Sequence, residues 1–303
     1  MKIIYDKNDW SEKAVVATIG FFDGVHPGHC YLLQEMQKVA QERGLPAAII
    51  TFHVHPRVVL HSDYQPKLLN SLDEKLELLS KTGVDYIIVM DFTPALAALT
   101  AQEFISTVLV PVWHVQTLLV GYDHHFGRRR DEETEPFILD GASYGMEIVN
   151  TSLYSGDKGI AVSSSMIRRL IEAGDVAAAA RLLGYYYRLN GHVVNGRQLG
   201  RHLGFPTANI AVDEKFKVIP RNGSYAVRIT VDDKKYNGML YIGSRPTVGA
   251  DDSLSIEANI FDFSDDIYDE SITVEFIDFI REEMKFDSLD ELRKQIEADK
   301  RKA

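Results

Sequence analysis

Gly20-Phe21-Phe22-Asp23-Gly24-Val25-His26-Pro27-Gly28-His29 follows directly on an apolar run, Val15–Ile19, and opens a stretch with helical amphipathicity. A strand that delivers a glycine-bearing turn to a helix N-terminus builds an anion pocket, because unpaired backbone N–H groups and the positive end of the helix dipole converge there. His26 and His29 stand at the mouth of that pocket, and an imidazole can hydrogen-bond a phosphate whose charge is growing. Short motifs also arise by chance, and a lone HxxH is more often two polar surface histidines. Here the preceding strand, the Gly turn and Asp23 favour phosphate chemistry.

Working outward, further apolar runs occur at Ala47–Phe52, Tyr86–Met90, 117–120 and Glu147–Asn150, separated by helical patterns. Two of those patterns open on capping boxes, Ser71 with Glu74 and Thr100 with Glu103. Near-continuous apolarity such as Ile87-Ile88-Val89 suits strands covered on both faces. Alternating strand and helix of this kind predicts an α/β, Rossmann-like domain with a parallel sheet, whose ligands bind at the carboxyl ends of its strands. Residues 104–122 carry no Asp, Glu, Lys or Arg, but Pro111, His114 and Gln116 divide them into a helix end and a buried strand rather than a membrane span.

Helices are predicted over 164–173 and 175–183, and after Gly184 the texture changes. Short period-2 runs, such as 225–231 and 271–276, are punctuated by Gly, Asn and Asp. They predict an antiparallel β-barrel or sandwich. A closing helix follows Ser288, with Ser288 and Glu291 as a third capping box. The expected domains are therefore 1–184 and 185–303.

The 303 residues carry 33 basic and 44 acidic side chains, net −11, which argues against a general nucleic-acid binder. Arg128-Arg129-Arg130 is answered at once by Asp131-Glu132-Glu133 and reads as a solvated loop. The single cysteine, Cys30, excludes an internal disulfide and a Cys-rich zinc site. Beside His29 its thiol pKa could be lowered, although a small helix-packing residue is the simpler account. Met1-Lys2-Ile3-Ile4-Tyr5-Asp6 lacks the apolar core of a secretory signal. The expectation is a cytoplasmic protein with no membrane and no nucleic-acid partner, a monomer or weak homo-oligomer.

No GxxxxGK[ST] string occurs, so a P-loop machine is not expected. A second Gly-rich run, Gly196-Arg197-Gln198-Leu199-Gly200-Arg201-His202-Leu203-Gly204-Phe205-Pro206-Thr207-Ala208-Asn209, spaces three glycines four residues apart. It could be a barrel hairpin, or a backbone that closely approaches phosphates. The Thr hydroxyl and Asn carbonyl oxygens are hard donors suited to Mg²⁺. Ser163-Ser164-Ser165 is at least an N-cap run, with Arg168 one turn inward.

These strings carry a resemblance. The first resembles the GxFDGxHxGH signature of the nucleotidylyltransferase superfamily, and Gly204-Phe205-Pro206-Thr207-Ala208-Asn209 resembles the GFPTAN signature of riboflavin kinases. Both together, in this order, resemble the bacterial bifunctional riboflavin kinase/FAD synthetase family over nearly the whole chain. The resemblance implies a barrel that phosphorylates riboflavin to FMN and an α/β domain that adenylylates FMN to FAD, with ATP and Mg²⁺ in both steps. It implies His26 and His29 as catalytic contacts to the α- and β-phosphates, with Phe22, Asp23 and Gly24 lining the nucleotide. Thr51-Phe52-His53-Val54-His55-Pro56 resembles the family's TFxPHP loop, with Val54 in place of proline and His55 as a further contact. Gly121-Tyr122-Asp123-His124-His125 carries Asp123 where many relatives have Asn, and His125 where Arg is frequent. Ser164, Ser165 and Arg168 match the SSTxxR element that binds pyrophosphate. In the barrel, Gly196, Gly200, Gly204 and Pro206 would cradle ATP, and Thr207 and Asn209 would hold the metal. Glu257 matches the catalytic base, and Arg281 and Phe286 match the flap near the flavin. A flavin-sensing protein that binds without turnover, and a different acceptor in the first domain, remain the rival readings.

Overall fold

The computed structural model describes residues 1–60, 65–121, 141–152, 154, 162–196, 205–245 and 253–303. The chain folds into two compact units, Met1–Pro66 with Asn70–Ser163, and Lys67–Leu69 with Ser164–Ala303.

In the first unit the order is β1 (Lys2–Ile4), β2 (Val15–Ile19), α1 (Pro27–Arg43), β3 (Ala47–Phe52), α2 (Pro56–Leu60), α3 (Leu72–Ser80), β4 (Tyr86–Met90), α4 (Pro94–Ala98), α5 (Ala101–Phe104), β5 (Val115–Val120) and β6 (Glu147–Asn150). All pairings are parallel and the sheet runs β1-β4-β3-β2-β5-β6, with β1 and β6 at its margins. Strand alternation sends Val15, Ala17 and Ile19 to one core cluster and Val16 to the other. Ala48 and Ile50 likewise part from Ala47 and Ile49, so both faces are covered as the apolar runs require. Both predicted capping boxes form, at α3 and α5. The uncharged run that begins at Phe104 divides as expected: α5 runs into a π-helical turn at Ile105–Leu109, and β5 is buried. The strand Lys2–Ile4 was not foreseen, and β5 starts at Val115 rather than 117. Among the described residues no helix is long and apolar enough to cross a membrane.

The second unit contains α6 (Ser164–Glu172), α7 (Val176–Leu183), β7 (Arg188–Val194), β8 (Ala208–Val212), β9 (Gly223–Val231), β10 (Lys234–Arg245), β11 (Ser253–Ile260), β12 (Ser271–Arg281) and α8 (Leu289–Lys300). The six strands close into an antiparallel barrel in the order β10-β11-β8-β7-β12-β9, deciding between the barrel and the sandwich. Its interior is anchored by Tyr187, Tyr225 and Phe276, whose rings meet at 6.1 and 5.2 Å. The third capping box forms only by half. Ser288 Oγ accepts from the Glu291 N–H at 3.3 Å, but the Glu291 carboxylate reaches one residue further back, to the Asp287 N–H at 3.3 Å.

Register shifts bend β12 between Phe276 and Asp278 and again between Phe279 and Arg281. Beyond them Arg281 Nε donates to Asp299 Oδ2 at 2.7 Å, and the Asp299 side chain is only 3 % exposed. This ion pair ties α8 to the end of β12. Removing one partner of a buried pair strands the other. Asp299→Ala should therefore cost the barrel unit about 3 kcal/mol, read as a lower urea midpoint by tyrosine fluorescence. An unchanged midpoint would show that the pair does not secure the helix.

Candidate functional site

The turn between β2 and α1 is held in an unusual backbone. Phe22 and Val25 have φ of 55° and 35°, and Gly24 has 88°. Such conformations at non-glycine residues cost on the order of 1–3 kcal/mol each and persist only when neighbours enforce them. Asn70 is the enforcer. Its Oδ1 accepts from the Gly24 N–H at 2.8 Å, and its own N–H donates to Asp23 Oδ1 at 3.1 Å. Asp23 is 4 % exposed, so Asp23 and Gly24, expected along the nucleotide, brace the turn from inside.

That bracing presents His26 as the N-cap of α1, with Pro27 in the first turn and no side-chain capping hydrogen bond. The rings of His26 and His29 stack at 3.8 Å with an interplanar angle of 19°, and Phe22 meets His29 edge-on at 5.3 Å. The two imidazoles thus lie side by side at the positive end of a 17-residue helix. Cys30 behind them settles as the packing residue. Burial raises its thiol pKa, and Sγ lies 3.6 Å from the Val25 carbonyl, so the lowered-pKa alternative is overturned.

At the carboxyl ends of β2 and β3 lies a cavity of about 710 Å³, walled by Phe21, Phe52, Phe92 and Phe104 among others and edged by His55 and Arg57. His55 packs edge-on to Phe21 at 4.6 Å, and its Nδ1 accepts from the Arg57 N–H at 3.2 Å. Under the wall lies Lys75 of α3, a residue that sequence reasoning missed. It is 2 % exposed; its amine donates to Thr51 Oγ1 at 3.2 Å and to the Phe52 carbonyl at 3.0 Å, and sits 4.0 Å from the Phe21 ring centroid. Burial lowers its pKa to about 8, against the opposing pull of Asp23. The signal was available: Leu72, Lys75, Leu76 and Leu79 share the i, i+3, i+4, i+7 face, so the lysine occupies a core position.

In the barrel, β8 and β11 pair so that Glu257 stands directly opposite Asn209. Glu257 accepts from Ser255 Oγ at 2.9 Å and, more distantly, from Thr207 Oγ1 at 3.4 Å. Asn259, also missed from sequence, donates to the Pro206 carbonyl at 2.7 Å and fixes the segment that carries Thr207. Gly196 lies against Asn209, where an added Cβ would fall 1.9 Å from the amide nitrogen. Its smallness serves that contact directly. Pro206 and Thr207 also edge a cavity of about 100 Å³ with Val193, Phe263 and Tyr268. Near Glu257, the Tyr241 hydroxyl donates to Glu283, and burial followed by that bond raises the phenol pKa. The Arg281 guanidinium is engaged by Asp299 and the Glu282 carbonyl, with the Phe286 ring 5.8 Å away.

Ser164 opens α6 and Ser165 follows it, both counted with the second unit, where Arg168 Nε donates to the Lys67 carbonyl at 2.6 Å. Asp123, His125, Arg128-Arg129-Arg130, Gly200 and Gly204 lie outside the described residues.

Comparison with known proteins bears on both groups of residues. The family model for FAD synthetase matches residues 8–166, and that for riboflavin kinase matches residues 183–303. A bifunctional riboflavin kinase/FMN adenylyltransferase of Listeria monocytogenes is 37% identical, covering 99% of this chain and 96% of its own. Those of Bacillus subtilis and Escherichia coli are each 38% identical, covering 96% and 98% of this chain and 92% and 94% of their own. A crystal structure described as a macrolide-efflux protein from Streptococcus pneumoniae superposes with a TM-score of 0.86 at 32% identity, covering 99% of this chain and 97% of that one.

Proposed function

The chain belongs to the bifunctional riboflavin kinase/FMN adenylyltransferase family, and on that premise we propose which residues carry its two ATP-dependent reactions. Residues 1–184 are assigned to adenylyl transfer and 185–303 to riboflavin phosphorylation. The matched ranges 8–166 and 183–303 support this division, although α6 and α7 fall in the same compact unit as the barrel.

In the kinase step Glu257 takes the proton of the ribityl primary hydroxyl while that oxygen bonds to the γ-phosphorus of ATP and the bridging oxygen leaves with ADP. The observation that carries this reading is the Glu257 carboxylate, set opposite Asn209 and held by Ser255 and Thr207. The oxygen donors of Thr207 and Asn209 fit Mg²⁺ carried in on ATP, because that ion takes one or two protein oxygens alongside phosphates and water. Bound there, Mg²⁺ would neutralise charge on the β- and γ-phosphates. Pro206 and Gly196 hold the two donors in place, with Gly200 and Gly204 assigned to the phosphates by resemblance. Arg281 belongs to the flavin flap, fixed by Asp299. Gly196→Ala would push Asn209 aside. A displacement on the order of 1 Å can cost about 10²-fold in rate, so FMN formation should fall by that order while adenylylation of supplied FMN persists.

In the second step a phosphate oxygen of FMN attacks the α-phosphorus of ATP and pyrophosphate departs. His26 and His29 donate hydrogen bonds to the α- and β-phosphates, and the α1 N-terminus adds its dipole, worth about 0.3–1 kcal/mol when exposed and up to about 2 when buried. The aromatic cavity takes the isoalloxazine ring, with His55 at its edge. Ser164, Ser165, Arg168 and Asp123 are assigned as phosphate or nucleotide contacts by resemblance. Incubation with riboflavin and Mg-ATP, followed by chromatography, tests the scheme: FMN then FAD should appear. Bound riboflavin with neither product would favour a sensor.

A further inference from the structure

We infer that Lys75 is a positioning residue for FMN adenylylation, setting through Thr51, Phe52 and Phe21 the wall against which FMN binds. The inference rests on the assignment of the aromatic cavity to FMN.

Three groups from two segments, the end of β3 and the β2–α1 turn, converge on this one amine. The Phe52 carbonyl closes β3 just before the loop that bears His55, and Lys75 fixes it at 3.0 Å. Thr51 Oγ1, one residue earlier, receives the second bond at 3.2 Å. The ammonium also faces Phe21 at 4.0 Å, and Phe21 in turn supports His55. Phe21 and Phe52 are cavity walls. Lys75 itself is buried and is not among the residues that line the cavity, so it acts through these groups.

A buried amine is a costly way to fill a core position, and an apolar side chain of similar length would close α3 at least as well. What the amine adds is directional: two hydrogen bonds and a cation–π contact that orient the cavity wall. Asp23 is the charged group acting on it, from the β2–α1 turn, while β3 presents a hydroxyl and a carbonyl and Phe21 a ring.

Stability and function should respond oppositely to alkali. The folded pKa of Lys75 is lowered from 10.5 to about 8. Between those values the unfolded chain holds a proton that the folded one has released, so this residue adds stability as pH rises. A fall in activity above pH about 8 therefore cannot arise from unfolding driven by Lys75. The FMN phosphate, with a second pKa of about 6, is already ionised there.

The test is Lys75→Met, assayed with supplied FMN and ATP. At pH 7 the KM for FMN should rise about tenfold, a change on the scale of one lost contact, while the KM for ATP shifts less than about twofold. Wild-type kcat/KM for FMN should fall above pH about 8, and the variant should lack that limb. An unchanged KM for FMN, a retained alkaline limb, or equal losses for FMN and ATP with a lowered unfolding temperature would each overturn the inference. Leu96→Trp, which fills the same cavity from another wall, separates the two levels. If it leaves FMN binding intact by flavin fluorescence, the cavity assignment falls. If it blocks binding while Lys75→Met does not, only the role of Lys75 falls.

Discussion

Replacing Glu257 by Gln is expected to slow FMN formation from riboflavin by about 10²–10⁴-fold, the usual contribution of a positioned general base. The substitution keeps the shape of the side chain. Ser255 and Thr207 donate to Glu257 oxygens at 2.9 and 3.4 Å, and an amide oxygen can still accept one of those bonds. The cross-strand register with Asn209 belongs to the backbone and should survive. What is lost is the capacity to take a proton, so the fall should appear in kcat, with the KM for ATP little changed. Adenylylation of supplied FMN should proceed at the wild-type rate. A loss of less than about tenfold in kcat would place the base elsewhere.

His29→Ala should produce the mirror image: FMN accumulates and FAD formation drops about 10²–10³-fold, the cost of one preorganised donor to developing charge. The effect should be large because His29 is packed between the His26 ring at 3.8 Å and the Phe22 edge at 5.3 Å, so its geometry is fixed before the nucleotide arrives. Pyrophosphate release from FMN and ATP measures the step directly. Loss of riboflavin phosphorylation as well would sink the assignment of the two chemistries to different residue sets.

Strands buried on both faces were legible because long apolar runs have few alternatives: β2, β3 and β4 keep their expected limits, as does the half-exposed edge strand β6. Lys2–Ile4 escaped because three residues carry no period, and its pairing with β4 comes from the sheet rather than from itself. Barrel and sandwich could not be separated beforehand, since closure is a matter of which distant strands share register. The site was legible as residue types but less so as roles. Asp23 and Gly24 also brace the β2–α1 turn through Asn70, a partner 47 positions from Asp23 that only the folded chain brings to them. Gly196 also packs against Asn209, a contact that the spacing of the glycines does not announce. Lys75 was passed over because a lysine in a helix normally lies in solvent.

The strand margins described above bear on how the protein behaves when crowded. Each strand of the closed β10-β11-β8-β7-β12-β9 ring has a paired neighbour on both sides among the described residues, and the parallel sheet ends in strands of three and four residues bearing Lys2 and Glu147. Short, charged borders are poor templates for a second chain. Concentrated folded protein should accordingly resist β-sheet aggregation, and amyloid-type growth would have to begin from an unfolded molecule.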